Sequence, residues 1–177
     1  MDISHVSNKT AHDVLTHSLA PPIFSHSSAF ALHAHERNVD DSVLRRLPAT
    51  DGVVMVMFYK AFLTGDEACS VDDVADHVLH IARVAGWRHV GIGSDFDGID
   101  GWCSDLEDSS KYPDLIASIL KKAPLTTDAQ IIGLLGGNLL RVWEKADQIK
   151  LALKSEKPCE VMWSERKPWK IDYSPYK

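Results

Sequence analysis

The sequence lacks a long hydrophobic run and a cluster of basic residues. No stretch approaches the ~20 consecutive apolar residues that span a bilayer, so we expect no transmembrane segment. Met1 is followed by Asp2, without the basic start and apolar core of a signal peptide. The net charge of -6 and the absence of a Lys/Arg-rich run argue against nucleic acid or an anionic membrane as the main partner. The residues present therefore predict a cytoplasmic protein.

Cysteine is also scarce. The three cysteines, Cys69, Cys103 and Cys159, lie far apart and form neither a Cys-x-x-Cys pair nor an even-numbered framework. We therefore expect free thiols in a reducing compartment, with a single disulfide as the alternative.

What the chain does have is enough apolar material for one core. Its 177 residues are 45% hydrophobic, which fits a single domain. We place that domain at residues 1–149. Residues 150–177 are rich in Lys, Glu and Pro with scattered aromatic residues. We expect this tail to pack on the outside of the domain or to be disordered, since single surface aromatic residues are common.

Short apolar segments alternate with amphipathic ones along the domain. This alternation is typical of a parallel sheet built from βα units, of which about four are visible. The strands are predicted at residues 1–5, 23–25, 52–59 and 89–95. The helices are predicted near residues 8–15, 43–47, 71–85, 113–120 and 131–143. The sequence therefore predicts the α/β class.

Capping residues support the later helices. Ser70 with Asp73, and Thr127 with Gln130, have the spacing of capping boxes. Gly136-Gly137 interrupts the last helix at a cost of about 1 kcal/mol per glycine relative to alanine. We therefore expect tight packing or a functional site at that point.

Polar side chains follow each predicted strand: His5, His26, Tyr59 and Asp95, the last with Asp97 close behind. In parallel α/β folds the carboxyl edge of the sheet is where active sites are built. Two imidazoles and a carboxylate suit zinc, which would activate a water for hydrolysis. The alternative is that both histidines are hydrogen-bonded core residues and that Asp95 caps a turn.

The sequence resembles the membrane dipeptidase (renal dipeptidase) family of zinc peptidases. The resemblance runs in order from Met1 to about Glu144. Its motifs are Asp2-Ile-Ser-His5, Phe24-Ser-His26-Ser-Ser-Ala29, Arg37-Asn38-Val39, Val54-Met-Val-Met-Phe-Tyr59, Gly91-Ile-Gly-Ser-Asp95-Phe-Asp97-Gly98, Lys111-Tyr-Pro-Asp-Leu115 and Gly137-Asn-Leu-Leu-Arg141.

The resemblance implies a (β/α)8 TIM-like barrel, of which this chain is the C-terminal half. It also implies two zinc ions bridged by a glutamate and hydrolysis of dipeptides. By the same resemblance, His5 and His26 are ligands of one zinc, and Arg37 binds the substrate carboxylate. Tyr59 contacts the substrate, and Asp95 handles protons during the attack. Without the family, Arg37 could be a surface residue paired with the neighbouring Glu36.

The chain also departs from the family. The His-x-Asp pair and the bridging glutamate that the resemblance leads us to expect belong to strands before those present here. Met57 stands where Asn is expected. The cysteine expected near His33 for the family disulfide is absent, which predicts an unpaired Cys69.

Two functions remain open. The first is a zinc dipeptidase represented by its C-terminal portion, with at most one partial zinc site and low or no activity alone. The second is a non-catalytic half-barrel that acts through binding or self-association, because an open half-barrel leaves sheet edges unpaired and favours a homodimer.

Overall fold

The computed structural model describes residues 1–65 and 68–157. Its sheet has three parallel strands, β1 (Ile23–Phe24), β2 (Val53–Val56) and β3 (Val90–Ile92), in the spatial order β1-β2-β3. In the register, Ile23 lies opposite Val53, and Val54 lies opposite Val90. The parallel sheet with intervening helices confirms the predicted α/β class.

The first predicted strand is present only as a single bridge. Asp2 pairs in parallel with Ile23, and the backbone N–H of Ile3 donates to the Ile23 carbonyl at 2.9 Å. The N–H of Ile23 donates in turn to the carbonyl of Met1 at 2.9 Å. Residues 1–5 therefore run beside β1 and extend the sheet edge, but they are not a full strand.

The helices have the following bounds: α1 Asn8–His17, α2 Asp41–Leu44, α3 Leu47–Thr50, α4 Lys60–Leu63, α5 Val71–Ala85, α6 Tyr112–Lys122, α7 Asp128–Ile132 and α8 Asn138–Ala152. Both predicted capping boxes are confirmed. Ser70 with Asp73 begins α5, and Thr127 with Gln130 begins α7. In each, the first residue accepts a backbone N–H, and the fourth satisfies the N–H of the first.

The core lies on both faces of β2, all four residues of which are buried. Val54 and Val56 belong to the main core, which includes the apolar stripe of α5. Val53 and Met55 point the other way and cluster with Val142 of α8. A strand covered on both faces reads as an uninterrupted apolar run, as residues 52–59 do.

Helix α8 is held to the backbone that leads into β2 and β3. The side-chain amide of Asn138 donates to the carbonyls of Trp87 and Val90, at 2.7 and 2.8 Å. Arg141 donates to the carbonyls of Asp51 and Arg88, both at 2.8 Å. The Gly137–Arg141 motif therefore has a structural role. Its Asn138 and Arg141 satisfy backbone carbonyls at the amino ends of two strands.

The glycine interruption before α8 has a local cause. Residues Gly133–Gly137 form one wide π turn, and Gly136 has φ of 148°, which disfavours other residues. A Cβ on Gly137 would lie 3.1 Å from the carbonyl oxygen of Ile132. The expected tight packing is therefore present at Gly137, whereas Gly136 has no atom within 4 Å of such a Cβ and is explained by its positive φ.

The prediction of free cysteines is wrong for two of the three. Cys69 and Cys103 form a disulfide, with their Cα atoms 4.5 Å apart. Beside it, Ser104 N–H donates to the Cys69 carbonyl, at 2.8 Å. Although 34 residues separate the cysteines, the loops after β2 and β3 bring them together. Because disulfides persist in oxidising compartments, the argument from free thiols to a reducing compartment no longer applies.

The predicted end of the domain falls inside a helix, since α8 continues to Ala152, past residue 149. The aromatic residues of the predicted tail, from Trp163 onward, lie outside the described residues. Within the described part of the chain, no helix combines the length and apolar character needed to cross a membrane.

Candidate active site

Two histidines meet at the carboxyl edge of the sheet. His5 follows the segment that borders β1, and His26 lies two residues after β1. Their Nε2 atoms are 2.7 Å apart, and their rings meet edge to face with centroids 4.8 Å apart. The structure therefore brings together the two residues that the sequence singles out as metal ligands.

Arg37 lies against the same pair. Its Nη2 is 3.1 Å from His5 Nε2, and its Nε donates to the Ser4 carbonyl at 3.2 Å. The guanidinium carbon also lies 5.5 Å from the centre of the Phe62 ring. These contacts direct Arg37 into the site, so the reading of Arg37 as a surface residue paired with Glu36 is not what the structure shows.

Asp95 enters from the end of β3. Its Oδ2 lies 3.9 Å from His26 Nε2. Its φ of 64° is unusual for a residue other than glycine. Such backbone conformations cost free energy and cluster at functional sites. A Cβ at Gly98 would lie 2.5 Å from Asp95 Oδ1, so the loop after Asp95 needs glycine there.

Tyr59 lies immediately before α4. Its ring packs on Phe62 with centroids 4.8 Å apart. Since Phe62 also contacts the Arg37 guanidinium, one aromatic ring links Tyr59 to the arginine. The structure thus joins all five predicted site residues in one region.

The electrostatics of His26 favour the neutral ring. Burial lowers its pKa below the ordinary value, the carboxylate of Asp95 opposes this, and the charges of His5 and Arg37 add to it. A neutral imidazole is the form that binds metal. The electrostatic environment of His26 is therefore compatible with metal binding near neutral pH.

The side chains of His5, His26 and Asp95 are of the types that bind zinc, but there are too few close ligands for a complete site. Two imidazole nitrogens and a nearby carboxylate are ligands that zinc accepts. Within residues 1–65 and 68–157, however, no three histidine, cysteine or acidic side chains converge closely enough to hold a metal ion. The described residues could therefore hold a metal through His5 and His26, with the remaining ligands supplied from elsewhere.

The sequence reasoning missed Asp2, Ser4 and Ser25, which surround His26. Ser25 Oγ lies 2.7 Å from His26 Nδ1, and the Ser25 hydroxyl donates to Asp2 Oδ2 at 2.5 Å. The backbone N–H of His26 donates to Ser4 Oγ at 3.0 Å. The signal was present in the sequence, since a serine directly precedes each of the two site histidines.

A cavity of about 430 Å³ adjoins the site, and His5 and Arg37 contribute to its wall. Two of its other lining residues, Ser27 and Asn38, are buried. In the part of the chain that the structure describes, Ser27 Oγ and Asn38 Oδ1 have no hydrogen-bond partner. Buried polar atoms of this kind are usually satisfied by water or by a ligand, so the cavity can take up polar groups.

The histidines of α5 lie away from the site. His77 Nδ1 accepts the backbone N–H of Ala29 at 3.0 Å. His80 Nε2 lies 2.8 Å from Asp41 Oδ1. Both imidazoles are buried, so they hold loops and helices together.

The chain is similar in sequence to two dipeptidases of one yeast. The sequence is 54% identical over 170 residues to an uncharacterized dipeptidase of Schizosaccharomyces pombe, a match that covers 94% of this chain and 41% of that protein. A second uncharacterized dipeptidase of the same yeast is 46% identical over 151 residues, covering 84% of this chain and 36% of the relative. The chain therefore spans about two fifths of the length of these relatives.

A solved structure extends the comparison to the fold. The metallo peptidase from Rhodobacter sphaeroides, liganded with a phosphinate mimic of the dipeptide L-Ala-D-Ala, superposes with a TM-score of 0.73 at 30% identity. The match covers 81% of this chain and 41% of that one. The sequence model described as membrane dipeptidase (peptidase family M19) matches residues 1–157. The chain belongs to the membrane dipeptidase family.

Proposed function

We propose that this chain supplies part of the active site of a zinc-dependent dipeptidase, as the C-terminal half of a (β/α)8 barrel. The observation that carries the proposal is the convergence of His5 and His26, whose Nε2 atoms lie 2.7 Å apart. Arg37 and Asp95 border the same point, the latter 3.9 Å from His26. The named relatives are dipeptidases, and a solved relative holds a dipeptide mimic.

In this proposal His5 and His26 hold the metal through their Nε2 atoms. A zinc ion bound there supplies Lewis acidity and an activated water. Asp95 accepts a proton as the peptide bond is attacked, because its carboxylate lies 3.9 Å from the His26 imidazole and is partly exposed, at 28% of its side-chain surface.

Arg37 recognises the carboxylate of the dipeptide. A guanidinium binds carboxylates through two parallel hydrogen bonds. The bond from Nε to the Ser4 carbonyl and the contact with Phe62 fix the side chain from two directions. Tyr59, whose ring packs against the same Phe62 ring, contacts the substrate next to the arginine.

We expect weak zinc binding and little or no hydrolysis from this chain alone. Structural and catalytic zinc sites use three or four protein ligands, whereas the described residues bring two imidazoles together.

Calorimetric titration of zinc into the purified chain tests the proposal. We expect one weak site, with an affinity that falls at least about tenfold in His26→Ala. His17→Ala is the matched control, because His17 is an exposed imidazole at the end of α1. Equal zinc binding by the His26→Ala variant, or dipeptide hydrolysis that survives it, would contradict the proposal.

A second candidate function is self-association without catalysis. It is favoured by the apolar side chains that α8 and the turn before it leave exposed, among them Leu140 and Trp143 at 63% and 64%. The outer side of β3, which has no strand partner among the described residues, adds an open sheet edge, and such edges readily pair with another chain. In this case a second copy of the chain is the partner.

A further inference from the structure

Behind His26, on the side away from His5, two polar side chains, Ser25 and Asp2, continue a hydrogen-bonded chain from the ring. Ser25 Oγ is 2.7 Å from His26 Nδ1 and 2.5 Å from Asp2 Oδ2. The Asp2 carboxylate also accepts the backbone N–H groups of Ser4 and Ser25, both at 3.2 Å. These bonds fix the carboxylate, so the position of the serine hydroxyl is defined at both ends.

The protons in this chain can be assigned from chemistry. Near neutral pH a carboxylate is ionised and accepts hydrogen bonds without donating any. The single hydroxyl proton of Ser25 therefore goes to Asp2. Ser25 Oγ can then only accept from His26 Nδ1, which places the ring proton on Nδ1 and the lone pair of the neutral ring on Nε2.

The Nε2 atom of His5 also carries a lone pair rather than a proton. The guanidinium of Arg37 is always a donor, and its Nη2 lies 3.1 Å from His5 Nε2. The Nε2 of His5 is therefore an acceptor as well. Two nitrogen lone pairs 2.7 Å apart repel each other. A metal ion bound to both nitrogens would accept both pairs, and it would replace the present hydrogen bond from Arg37 to His5.

We propose that Asp2 and Ser25 are positioning residues for His26. The Asp2–Ser25–His26 relay holds the ring proton on Nδ1 and keeps the Nε2 lone pair facing His5. Ligand histidines commonly make such a bond through the second ring nitrogen, and here the serine hydroxyl transmits it from the carboxylate. The effect on metal affinity rests on the proposed function, whereas the proton assignment stands without a metal.

Nitrogen-15 NMR of the full chain at about pH 8, above the ordinary imidazole pKa, reads the tautomer directly. In the wild type we expect the Nδ1–H form of His26. Ser25→Ala and Asp2→Ala should each shift the ring toward the Nε2–H form, and Ser25→Thr, which keeps the hydroxyl, should restore Nδ1–H. Ser109→Ala is the control, because Ser109 is an exposed serine three residues before α6.

Zinc affinity, measured by competition with a chromogenic chelator, is the second readout. We expect roughly a ten- to hundredfold loss in Ser25→Ala and no change in Ser109→Ala. An Nε2–H tautomer in the wild type, or an unchanged tautomer in both Ser25→Ala and Asp2→Ala, would overturn the relay. If Ser25→Ala fails to fold, Asp2→Ala and Ser25→Thr decide the matter.

The two proposals fail in different ways. A wild-type chain with the Nδ1–H tautomer that binds no zinc would contradict the proposed function and leave the relay standing. A chain that binds zinc through His26 but has the Nε2–H tautomer without metal would contradict the relay and leave the proposed function standing.

Discussion

Imidazole burial separates two kinds of histidine in this chain. His5 is exposed and His26 is half-buried, and their Nε2 atoms face each other. His77 is 2% exposed, and its ring joins the Ala29 N–H to the Leu63 carbonyl, with distances of 3.0 and 3.4 Å. The first kind is available to a ligand, whereas the second holds the fold together.

The buried ring predicts a pH dependence of stability. Burial lowers the pKa of His77 from 6.5 to about 4, with the Leu63 carbonyl opposing the shift. Between these values the unfolded chain binds the proton and the folded chain does not, so His77 makes stability fall as the pH falls. At 1.36 kcal/mol per pH unit the loss from pH 6.5 to 4 is about 3 kcal/mol.

Urea unfolding at pH 7 and pH 4.5, at one protein concentration, measures this effect. The fall in unfolding free energy should be smaller in His77→Gln than in the wild type. His17→Gln, which alters an exposed imidazole, should keep the wild-type pH dependence. Equal pH dependence in His77→Gln and the wild type would contradict the assignment.

At the scale of single residues, position in the chain predicts a great deal. His5, His26 and Asp95 were identifiable because each follows an apolar segment that becomes a strand or runs beside one. Ser25 carried a signal, since a serine directly precedes each site histidine, but its role and that of Asp2 depend on hydrogen bonds between two neighbouring segments, which the sequence does not show. Arg37 needed the family resemblance, because a charged loop residue carries no pattern of its own.

The backbone just after β3 passes very close to Ser25, which follows β1, and to Met55 of β2. A Cβ built on Gly93 would lie 1.9 Å from the Ser25 carbonyl oxygen and 2.8 Å from Met55 Cβ. The backbone carbonyl cannot move aside without shifting the segment that carries His26. Gly93, two residues before Asp95, therefore has no room for a side chain.

We expect Gly93→Ala to destabilise the fold by at least about 3 kcal/mol, at the upper end of overpacking effects. The matched control is Gly101→Ala, where the nearest atom is Lys60 Cε, the mobile end of a long side chain. Thermal unfolding of both variants tests this prediction. A wild-type melting temperature in Gly93→Ala would show that the sheet does not depend on this approach.

The contact of α8 with the sheet predicts another large effect. Asn138→Ala leaves the carbonyls of Trp87 and Val90 without the donor they have now. Unsatisfied buried groups cost about 1–3 kcal/mol each, so we expect a loss of at least about 2 kcal/mol. Denaturant unfolding compared with Gln148→Ala, on an exposed position of α8, measures the difference. Equal stability of the two variants would contradict a structural role for the motif.

At the scale of elements, the longer segments were predictable and the contacts between them were not. Helix α5 has an apolar stripe and a capping box that mark both its face and its start. The first strand was overestimated, because a strand needs partners that the sequence of one segment does not reveal. The Cys69–Cys103 disulfide was missed for a related reason, since 34 residues of intervening chain conceal their proximity.

The molecule as a whole presents apolar surface that a globular domain would normally cover. The exposed residues of this surface, on α8 and the segment before it, are Ile132, Leu135, Leu140, Trp143 and Leu151. Leu140 and Trp143 lie three residues apart, on one side of α8, and exposed apolar patches mark interaction sites. Together with the open edge at β3, they predict association between copies of the chain.

Light scattering coupled to size-exclusion chromatography should give a mass of at least twice the 19.7 kDa of one chain. The double substitution Leu140→Glu/Trp143→Glu should shift the population toward monomer. Leu125→Glu is the control, because Leu125 is 94% exposed and lies before α7. A stable, dilute wild-type monomer with sharp cooperative unfolding would contradict the prediction.

The central claim is that His5 and His26 converge to hold a metal ion. Its most direct test is an anomalous-difference map, recorded at the zinc absorption edge, from crystals of the chain soaked in zinc. The account predicts a peak within bonding distance of both Nε2 atoms, beside Asp95. A map without that peak, in which the two Nε2 atoms stay 2.7 Å apart as they are here, would contradict it.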